Sequence, residues 1–332
     1  MKRGILFLLV FAFATVTIPA RAQNNSGGIE LQNFRYPFPV QYFNVTEQKQ
    51  ALRMAYMDVK PATPNGKTVL LLHGKNFSGA YWDSTATRLS AAGFRVIMPD
   101  QIGFGKSSKP TTFQYSFHLL AQNTKRLLDS LKIDSVYVLG HSMGGMLATR
   151  FALMYPQQVE KLILENPIGL EDYKRMVSYQ SVDVLYAGEL KQDVAKAKAY
   201  QQENYYGGAW KPAYDKWLAL TTGWLSDKDY PIVAWNSALT SEMIVTQPVV
   251  YEFEKLTMPV LLIIGQRDRT ALGKNLVPDS VKKTMGNYPA LGKQTAQRIK
   301  KAQLVEIDNV GHLPHIESFE LFIKPLLDFL SK

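Results

Sequence analysis

A serine stands between two glycines in the stretch Gly140-His-Ser-Met-Gly144, where an apolar, strand-like run ends and a helical pattern begins. A turn that lifts a serine hydroxyl clear of the backbone here has no room for side chains two residues before and after the serine, so glycine is required at both positions. The pattern therefore predicts that Ser142 is a nucleophile, and the following helix N-terminus favours the negative charge that develops during attack. The alternative is an ordinary strand-to-helix turn in which Ser142 only caps the helix.

A serine hydroxyl needs a histidine to take its proton. The chain has five histidines. His312 is the predicted base because it ends the stretch Asp308-Asn-Val-Gly-His312, directly after the last strand-like run, where a loop can bring an imidazole to the carboxyl edge of a sheet. His315 is the weaker alternative, since it is expected to cap or contact the following helix.

The third member of such a site is a carboxylate that orients the imidazole. Asp268 is the predicted acid because it follows the strand-like run Pro259–Gly265 and because the chain order serine, aspartate, histidine suits an open α/β sheet. Glu165 is the next candidate and Asp308 is the third. The alternative for Asp268 is a simple ion pair with one of the arginines beside it.

The negative charge formed on a carbonyl oxygen also needs hydrogen-bond donors. The loop Leu72-His-Gly-Lys-Asn76 leaves a buried strand, and its glycine permits a close approach of the backbone. The backbone N–H groups of Lys75 and Met143 are therefore the predicted oxyanion hole. Asn76 is an alternative donor, and His73 is expected to support the loop by hydrogen bonding.

The elements that must position these residues alternate along the chain. Apolar strand-like runs and helical patterns follow one another from Thr68 to Leu164 and again from Pro259 onwards, which predicts an α/β fold with a mostly parallel sheet and helices on both faces. Two further strand-like runs, Gln41–Thr46 and Gln50–Val59, predict an N-terminal hairpin. The predicted core domain comprises residues 23–169 and 256–332.

Residues 170–255 interrupt this alternation, because helix-favouring, aromatic-rich runs such as Glu189–Asn204 replace the buried strands. They predict a helical cap, or lid, inserted into the core. Tyr205, Tyr206 and Trp210 in the cap, together with Asn76, are the predicted substrate-binding residues, which favours an apolar or aromatic acyl substrate. The alternative is that these aromatic residues only pack the cap.

The first 22 residues predict a signal peptide. Lys2 and Arg3 precede the apolar run Gly4–Ile18, and Ala20-Arg21-Ala22 has the small residues that signal peptidase recognises. We therefore expect an exported protein, periplasmic or secreted, with no stable membrane span after cleavage. An uncleaved N-terminal anchor is the alternative.

The composition excludes several kinds of site. The formal net charge is +10, but the basic residues are dispersed and are not interleaved with stacking aromatics, so no nucleic-acid partner is expected. The chain has no cysteine, which excludes thiolate catalysis and disulfides, and no H-x-x-x-H pair that would bind zinc. A small-molecule substrate is the expected partner, no cofactor or metal is expected, and the oligomeric state is left open.

Taken together and in order, these motifs resemble those of the α/β-hydrolase family. The matching stretches are His73-Gly74, Pro99-Asp-Gln-Ile-Gly-Phe-Gly-Lys-Ser107, Gly140-His-Ser-Met-Gly144, Gly265-Gln-Arg-Asp268 and Gly311-His312. The resemblance implies the fold, the triad and a variable cap, and it extends from about Gln41 to the end. One departure is the connection from Thr270 to Gln303, which is longer than expected for the family and is predicted to add to the rim of the site.

The resemblance implies a serine hydrolase that cleaves carboxylic esters or related acyl compounds through an acyl-enzyme intermediate. Epoxide hydrolases and haloalkane dehalogenases of this family carry an aspartate where Ser142 stands, so these two activities are disfavoured. A carbon–carbon bond hydrolase or a cofactor-free perhydrolase would use the same triad. A ligand-binding member that has lost turnover is a further alternative.

Overall fold

The computed structural model describes residues 28–332, so the predicted signal peptide lies outside the described residues. Eight strands form one sheet in the order β1-β2-β4-β3-β5-β6-β7-β8. The strands are β1 (Val40–Glu47), β2 (Gln50–Val59), β3 (Thr68–Leu72), β4 (Arg95–Pro99), β5 (Val136–His141), β6 (Val159–Glu165), β7 (Val260–Gly265) and β8 (Ala302–Ile307). β2 pairs antiparallel with β1 and β4, and all other pairs are parallel. The predicted mostly parallel α/β sheet and its N-terminal hairpin are confirmed.

Helices cover both faces of the sheet, as the alternation predicts. The helices are α1 (Asp83–Ala91), α2 (Phe117–Ser130), α3 (Met143–Met154), α4 (Val182–Glu189), α5 (Val194–Asn204), α6 (Asp215–Thr222), α7 (Tyr230–Thr246), α8 (Asp279–Lys282), α9 (Tyr288–Arg298), α10 (Pro314–Glu317) and α11 (Phe319–Ser331). None of the helices within residues 28–332 is long and apolar enough to cross a bilayer.

Strand β3 shows how the core is built. Leu70 and Leu72 point into one hydrophobic cluster, which contains residues of α2, α3 and α9, whereas Val69 and Leu71 point into the other, which contains residues of α1 and α11. Successive side chains of a strand point to opposite faces of a sheet, so a strand covered on both faces must be apolar throughout. This requirement explains the continuous apolar runs in the sequence.

Four helices, α4 to α7, lie between β6 and β7, where the cap is predicted. The helix-favouring run Glu189–Asn204 is helical from Val194 onwards, as α5, whereas α4 ends at Glu189. Asp193 separates them, because its carboxylate accepts a hydrogen bond from the Lys196 amide at 2.8 Å and so caps the start of α5. Whether the segment acts as a lid stays a prediction.

Candidate active site

Ser142 lies on a strained turn between β5 and α3. Its φ of 56° and ψ of −122° are unusual for a residue that carries a side chain. A Cβ atom at Gly140 would overlap the carbonyl oxygen of Gly144, and one at Gly144 would overlap the carbonyl oxygen of Leu72. Glycine is therefore required at both positions. The Ser142 hydroxyl makes no capping hydrogen bond to α3, which argues against the simple capping alternative.

The structure brings Ser142, His312 and Asp268 together. His312 Nε2 lies 3.0 Å from Ser142 Oγ, and His312 Nδ1 lies 2.7 Å from Asp268 Oδ2. A carboxylate only accepts hydrogen bonds, so Nδ1 carries the imidazole proton and Nε2 is free to accept the hydroxyl proton. All three side chains are buried. The arrangement has the geometry of a serine nucleophile, its base and the acid that orients the base.

The carboxylate of Asp268 is held by two further donors. Asn166 Nδ2 donates to Oδ2 at 2.8 Å, and the Thr270 amide donates to Oδ1 at 2.8 Å. Sequence reasoning did not single out Asn166, although its place directly after β6, at the same edge of the sheet, is a signal for it. The carbonyl oxygen of Asn166's side chain accepts from the Gly265 amide at 2.9 Å, which holds the asparagine itself in place.

The arginines beside Asp268 do not bind its carboxylate. Arg267 pairs with Glu317, and Arg269 donates to the backbone carbonyl of Asp268. The carboxylate therefore remains available to orient His312, and the ion-pair alternative does not describe this structure.

The other candidate acids and the other candidate base lie elsewhere. Glu165 Oε1 accepts from the backbone N–H of His315 at 2.9 Å and from His315 Nδ1 at 2.8 Å. Asp308 is exposed. Neither carboxylate orients His312, and His315 is turned towards Glu165 rather than Ser142.

The oxyanion loop, residues 73–77, follows β3 and lies beside the serine turn, since a Cβ atom at Gly74 would be 3.1 Å from Ser142 Cβ. Neither the Lys75 amide nor the Met143 amide donates a hydrogen bond to another group within residues 28–332, so both are free to bind an anion. The Gly74 carbonyl accepts from His73 Nδ1 at 2.9 Å and from the Phe77 amide at 3.2 Å. Because the N–H of a trans peptide points away from its C=O, these two bonds also set the direction of the Lys75 N–H.

His73 is a neutral support for this loop. Its Nε2 accepts from the Gln101 amide at 3.1 Å while its Nδ1 donates to the Gly74 carbonyl. Burial lowers the pKa of His73 below its ordinary value because the charged ring would lose its water. The neutral tautomer with the proton on Nδ1 satisfies both contacts.

Ser142 opens into a cavity of about 280 Å³, the serine cavity. Most of its lining is polar. The lining residues are Lys75, Asn76, Phe77, Ser142, Ile168, Glu189, Gln192, Tyr200, Tyr205, Ser241, Thr270, Ala271, Leu272, Gly273 and Asn275. Residues of the long connection after Thr270 do contribute to the rim, and this lining is more polar than the expected apolar or aromatic pocket.

Two of the four predicted substrate-binding residues reach this cavity. Asn76 Nδ2 donates to the Tyr205 hydroxyl at 2.8 Å, and both residues line the cavity. The Tyr205 ring also stacks on the His312 ring, with centroids 5.0 Å apart and planes 25° apart. Tyr205 therefore packs against His312 as well as lining the cavity.

Tyr206 and Trp210 do not line the serine cavity, contrary to expectation. The Tyr206 ring stacks on Tyr214 with centroids 3.7 Å apart, and the Trp210 ring meets the Tyr206 ring edge-on. Trp210 Nε1 donates to Asp215 at 2.9 Å. The two aromatic residues are used in packing the segment between β6 and β7, because the Tyr206 face covers Tyr214 and the Trp210 ring packs against the Tyr206 ring rather than in the site.

A second cavity adjoins the first and has more apolar walls. It is called the adjoining cavity, and its lining residues are Lys75, Asn76, Gly103, Phe104, Glu189, Gln192, Ala197, Tyr200, Gln201, Thr221, Trp224, Leu225, Tyr230, Val233, Ala234 and Ser237. Lys75 lies at the border between the two cavities. Its ammonium donates to Ser237 Oγ at 2.6 Å and lies 3.6 Å from Glu189 Oε1.

Comparison with known proteins relates this chain to hydrolases. A family model described as alpha/beta hydrolase fold matches residues 67–319. The crystal structure of a probable hydrolytic enzyme from Pseudomonas aeruginosa PAO1 superposes with a TM-score of 0.90 at 51% identity, over 91% of this chain and 97% of that chain. An esterase from Exiguobacterium antarcticum, at 19% identity and a TM-score of 0.66 over 88% of this chain and 100% of that chain, shares the fold alone.

Curated relatives match over shorter stretches. The 2-hydroxy-6-oxo-6-phenylhexa-2,4-dienoate hydrolase of Burkholderia cepacia is 38% identical over 108 residues, which are 32% of this chain and 38% of that protein. The chain spans 36% to 43% of the length of six curated relatives, this one included.

Proposed function

The chain belongs to the α/β-hydrolase family, and from that premise we propose that it is a serine hydrolase that cleaves carboxylic esters or related acyl compounds. One observation carries the proposal: His312 lies within hydrogen-bonding distance of both Ser142 Oγ and Asp268 Oδ2. A binding protein has no need of this arrangement, whereas acyl transfer depends on it.

The proposed reaction has two steps. Ser142 Oγ attacks the carbonyl carbon while His312 Nε2 takes the hydroxyl proton, and the Lys75 and Met143 amides bind the oxyanion. His312 then gives the proton to the leaving alcohol, and the bond between that alcohol and the acyl carbon breaks. A water molecule, deprotonated by His312, attacks the acyl-enzyme, and the proton returns to Ser142 as the carboxylic acid leaves.

The two cavities suggest where the substrate lies. Polar walls surround the reacting serine, and apolar side chains, among them Phe104 and Trp224, line the adjoining cavity. We therefore expect the preferred acyl group to carry an apolar chain or ring that reaches the adjoining cavity. Ala234→Leu, whose larger side chain fills part of that cavity, is expected to shorten the preferred acyl chain in a series of p-nitrophenyl esters.

Active-site labelling tests the proposal directly. A fluorophosphonate probe is expected to label the parent protein but neither Ser142→Ala nor His312→Ala, because only an activated serine reacts. His118→Ala is the matched control, since His118 is exposed on α2 and lines neither the serine cavity nor the adjoining cavity. A folded parent that stays unlabelled would overturn the proposal and favour a ligand-binding role.

A second candidate is hydrolysis of a carbon–carbon bond. The relative from Burkholderia cepacia is named for a substrate whose carbonyl at carbon 6 has carbon on both sides, so hydrolysis there separates two carbon atoms. The same triad serves both reactions. The ratio of kcat/KM for 2-hydroxy-6-oxo-6-phenylhexa-2,4-dienoate to that for p-nitrophenyl acetate decides between them.

We also propose that the protein is exported. The support is the basic, apolar and small-residue pattern of residues 1–22. Mass spectrometry of the protein recovered from a bacterial periplasm or medium is expected to find a mature N-terminus at Gln23. An intact Met1 on membrane-bound protein would favour an uncleaved anchor instead.

A further inference from the structure

Two buried side chains connect the oxyanion loop to the base loop, residues 308–313. Tyr81 lies in the short 3₁₀ helix Gly79–Trp82, and its hydroxyl accepts from the Gly74 amide at 2.9 Å. The same hydroxyl lies 2.9 Å from His141 Nδ1, and His141 Nε2 lies 2.7 Å from the backbone carbonyl oxygen of His312. Three hydrogen bonds therefore run from the residue before Lys75 to the predicted base.

The direction of each of these three hydrogen bonds follows from the groups at the two ends of the series. The Gly74 amide can only donate, so the Tyr81 oxygen accepts and its own hydrogen goes to His141 Nδ1. The His312 carbonyl can only accept, so His141 carries its proton on Nε2. A neutral His141 therefore fills every role. Burial lowers the pKa of His141 well below its ordinary value, and the neighbouring His312 and His315 rings add to this.

The link is buried. Tyr81 is 1% exposed and His141 is 0% exposed, so water does not compete for their hydrogen bonds. The Tyr81 ring also stacks on Phe77 of the oxyanion loop, with centroids 4.8 Å apart and planes 12° apart.

The two loops that the link joins are distant in the sheet. The oxyanion loop follows β3 and the base loop follows β8, and three strands lie between them. Backbone pairing between neighbouring strands therefore does not set their separation directly. Catalysis depends on that separation, because the oxyanion donors and the base must act on one tetrahedral intermediate.

We propose that Tyr81 and His141 are positioning residues that hold the oxyanion loop and the base loop at the separation needed for attack by Ser142. The inference rests on the proposed hydrolase function. Breaking the link at either residue misplaces one loop relative to the other, so a second break adds little. Independent structural roles would instead produce effects that multiply.

The test compares Tyr81→Phe, His141→Leu, their double variant and His141→Gln. The readouts are the rate of fluorophosphonate labelling at Ser142, kcat and KM on a p-nitrophenyl ester, and the melting temperature. We expect each of the first two variants to lower kcat and the labelling rate by about tenfold, with KM changed less than about twofold. We expect the double variant to be less than about twofold worse than the worse single variant. His141→Gln should recover part of the rate, because its side-chain amide can donate to the His312 carbonyl.

Tyr173→Phe is the matched control. The hydroxyl of buried Tyr173 also accepts from a backbone amide, that of Gly169 at 3.3 Å, but it lies outside the link. The probe is expected to label this variant at the parent rate.

The outcomes separate the two proposals. An unlabelled parent refutes the hydrolase function, and the inference falls with it. A labelled parent together with folded Tyr81→Phe that labels equally fast overturns the inference alone, as does a double variant whose loss is the product of the single losses. Should His141→Leu fail to fold, the labelling rates of Tyr81→Phe and His141→Gln, each compared with that of the parent, still decide whether the inference stands.

Discussion

Replacing Asp268 by asparagine tests most directly whether the Asp268 carboxylate orients His312. Three donors surround the carboxylate: His312 Nδ1 and Asn166 Nδ2 at one oxygen, and the Thr270 amide at the other. An asparagine has only one acceptor oxygen, so its NH₂ group must face a donor whichever way it turns.

Each orientation of the asparagine harms the site. With the oxygen towards His312, the NH₂ group opposes the Thr270 amide, and a buried donor loses its partner. With the NH₂ towards His312, the imidazole must shift its proton to Nε2, where it can no longer accept the Ser142 proton. Loss of the negative charge also removes stabilisation of the imidazolium in either case.

We expect Asp268→Asn to lower kcat by about 10³- to 10⁴-fold at pH 7, which corresponds to about 4 to 5.5 kcal/mol of activation free energy. KM should change by less than about threefold, since the cavity walls are unaltered. The assay is steady-state hydrolysis of a p-nitrophenyl ester, with the melting temperature measured beside it.

Two matched variants sharpen the result. Asp308→Asn, at an exposed carboxylate in the base loop, should keep parental activity, and Glu165→Gln should act mainly on stability through its bonds to His315. The reasoning fails if folded Asp268→Asn retains more than a tenth of the activity, or if Asp308→Asn loses as much.

Further predictions concern stability and substrate contact. Gly144→Ala should lower the free energy of unfolding, measured in urea, by at least about 2 kcal/mol, because the new methyl group overlaps the β3 backbone. Gly188→Ala should raise the free energy of unfolding slightly, because the new methyl group enters open space beside α4. Burial lowers the pKa of Lys109 to about 7, so the unfolded chain binds more protons between pH 7 and 10.5 and stability should rise with pH across that window. Lys109→Met should flatten this rise in urea titrations at pH 7 and 9, and an unchanged slope would contradict it. Tyr205→Ala should lower kcat/KM by at least about tenfold, because the Tyr205 ring contacts His312. Trp210→Ala should change kcat/KM by less than about threefold, and equal losses in the two variants would show that Trp210 also acts at the site.

The fold was predictable because its signals are local. Strands buried on both faces must be apolar throughout, and helices between them show their own period, so the order of elements along the chain can be read without knowing any long-range contact. The break between α4 and α5 at the start of the run Glu189–Asn204 was missed, because the capping side chain of Asp193 stands in a run that otherwise favours helix.

The predicted triad and oxyanion residues were found for a related reason. Ser142, Asp268 and His312 each follow a strand of the parallel part of the sheet, and the carboxyl ends of parallel strands meet at one edge. Residue type and position after a strand were therefore enough to select them, and their catalytic roles await the variants described above.

The sequence by itself thus determined the elements, their order and the side chains that reach the carboxyl edge of the sheet, because each of these depends on neighbours within a few residues. Only the tertiary structure decided which side chains meet. Asn166 reaches Asp268, and Tyr81 reaches His141, across 102 and 60 residues of chain. The same holds for Tyr206 and Trp210, which pack against Tyr214 and each other instead of lining the serine cavity. Such contacts depend on strand order and on the packing of distant segments, and no local pattern encodes them.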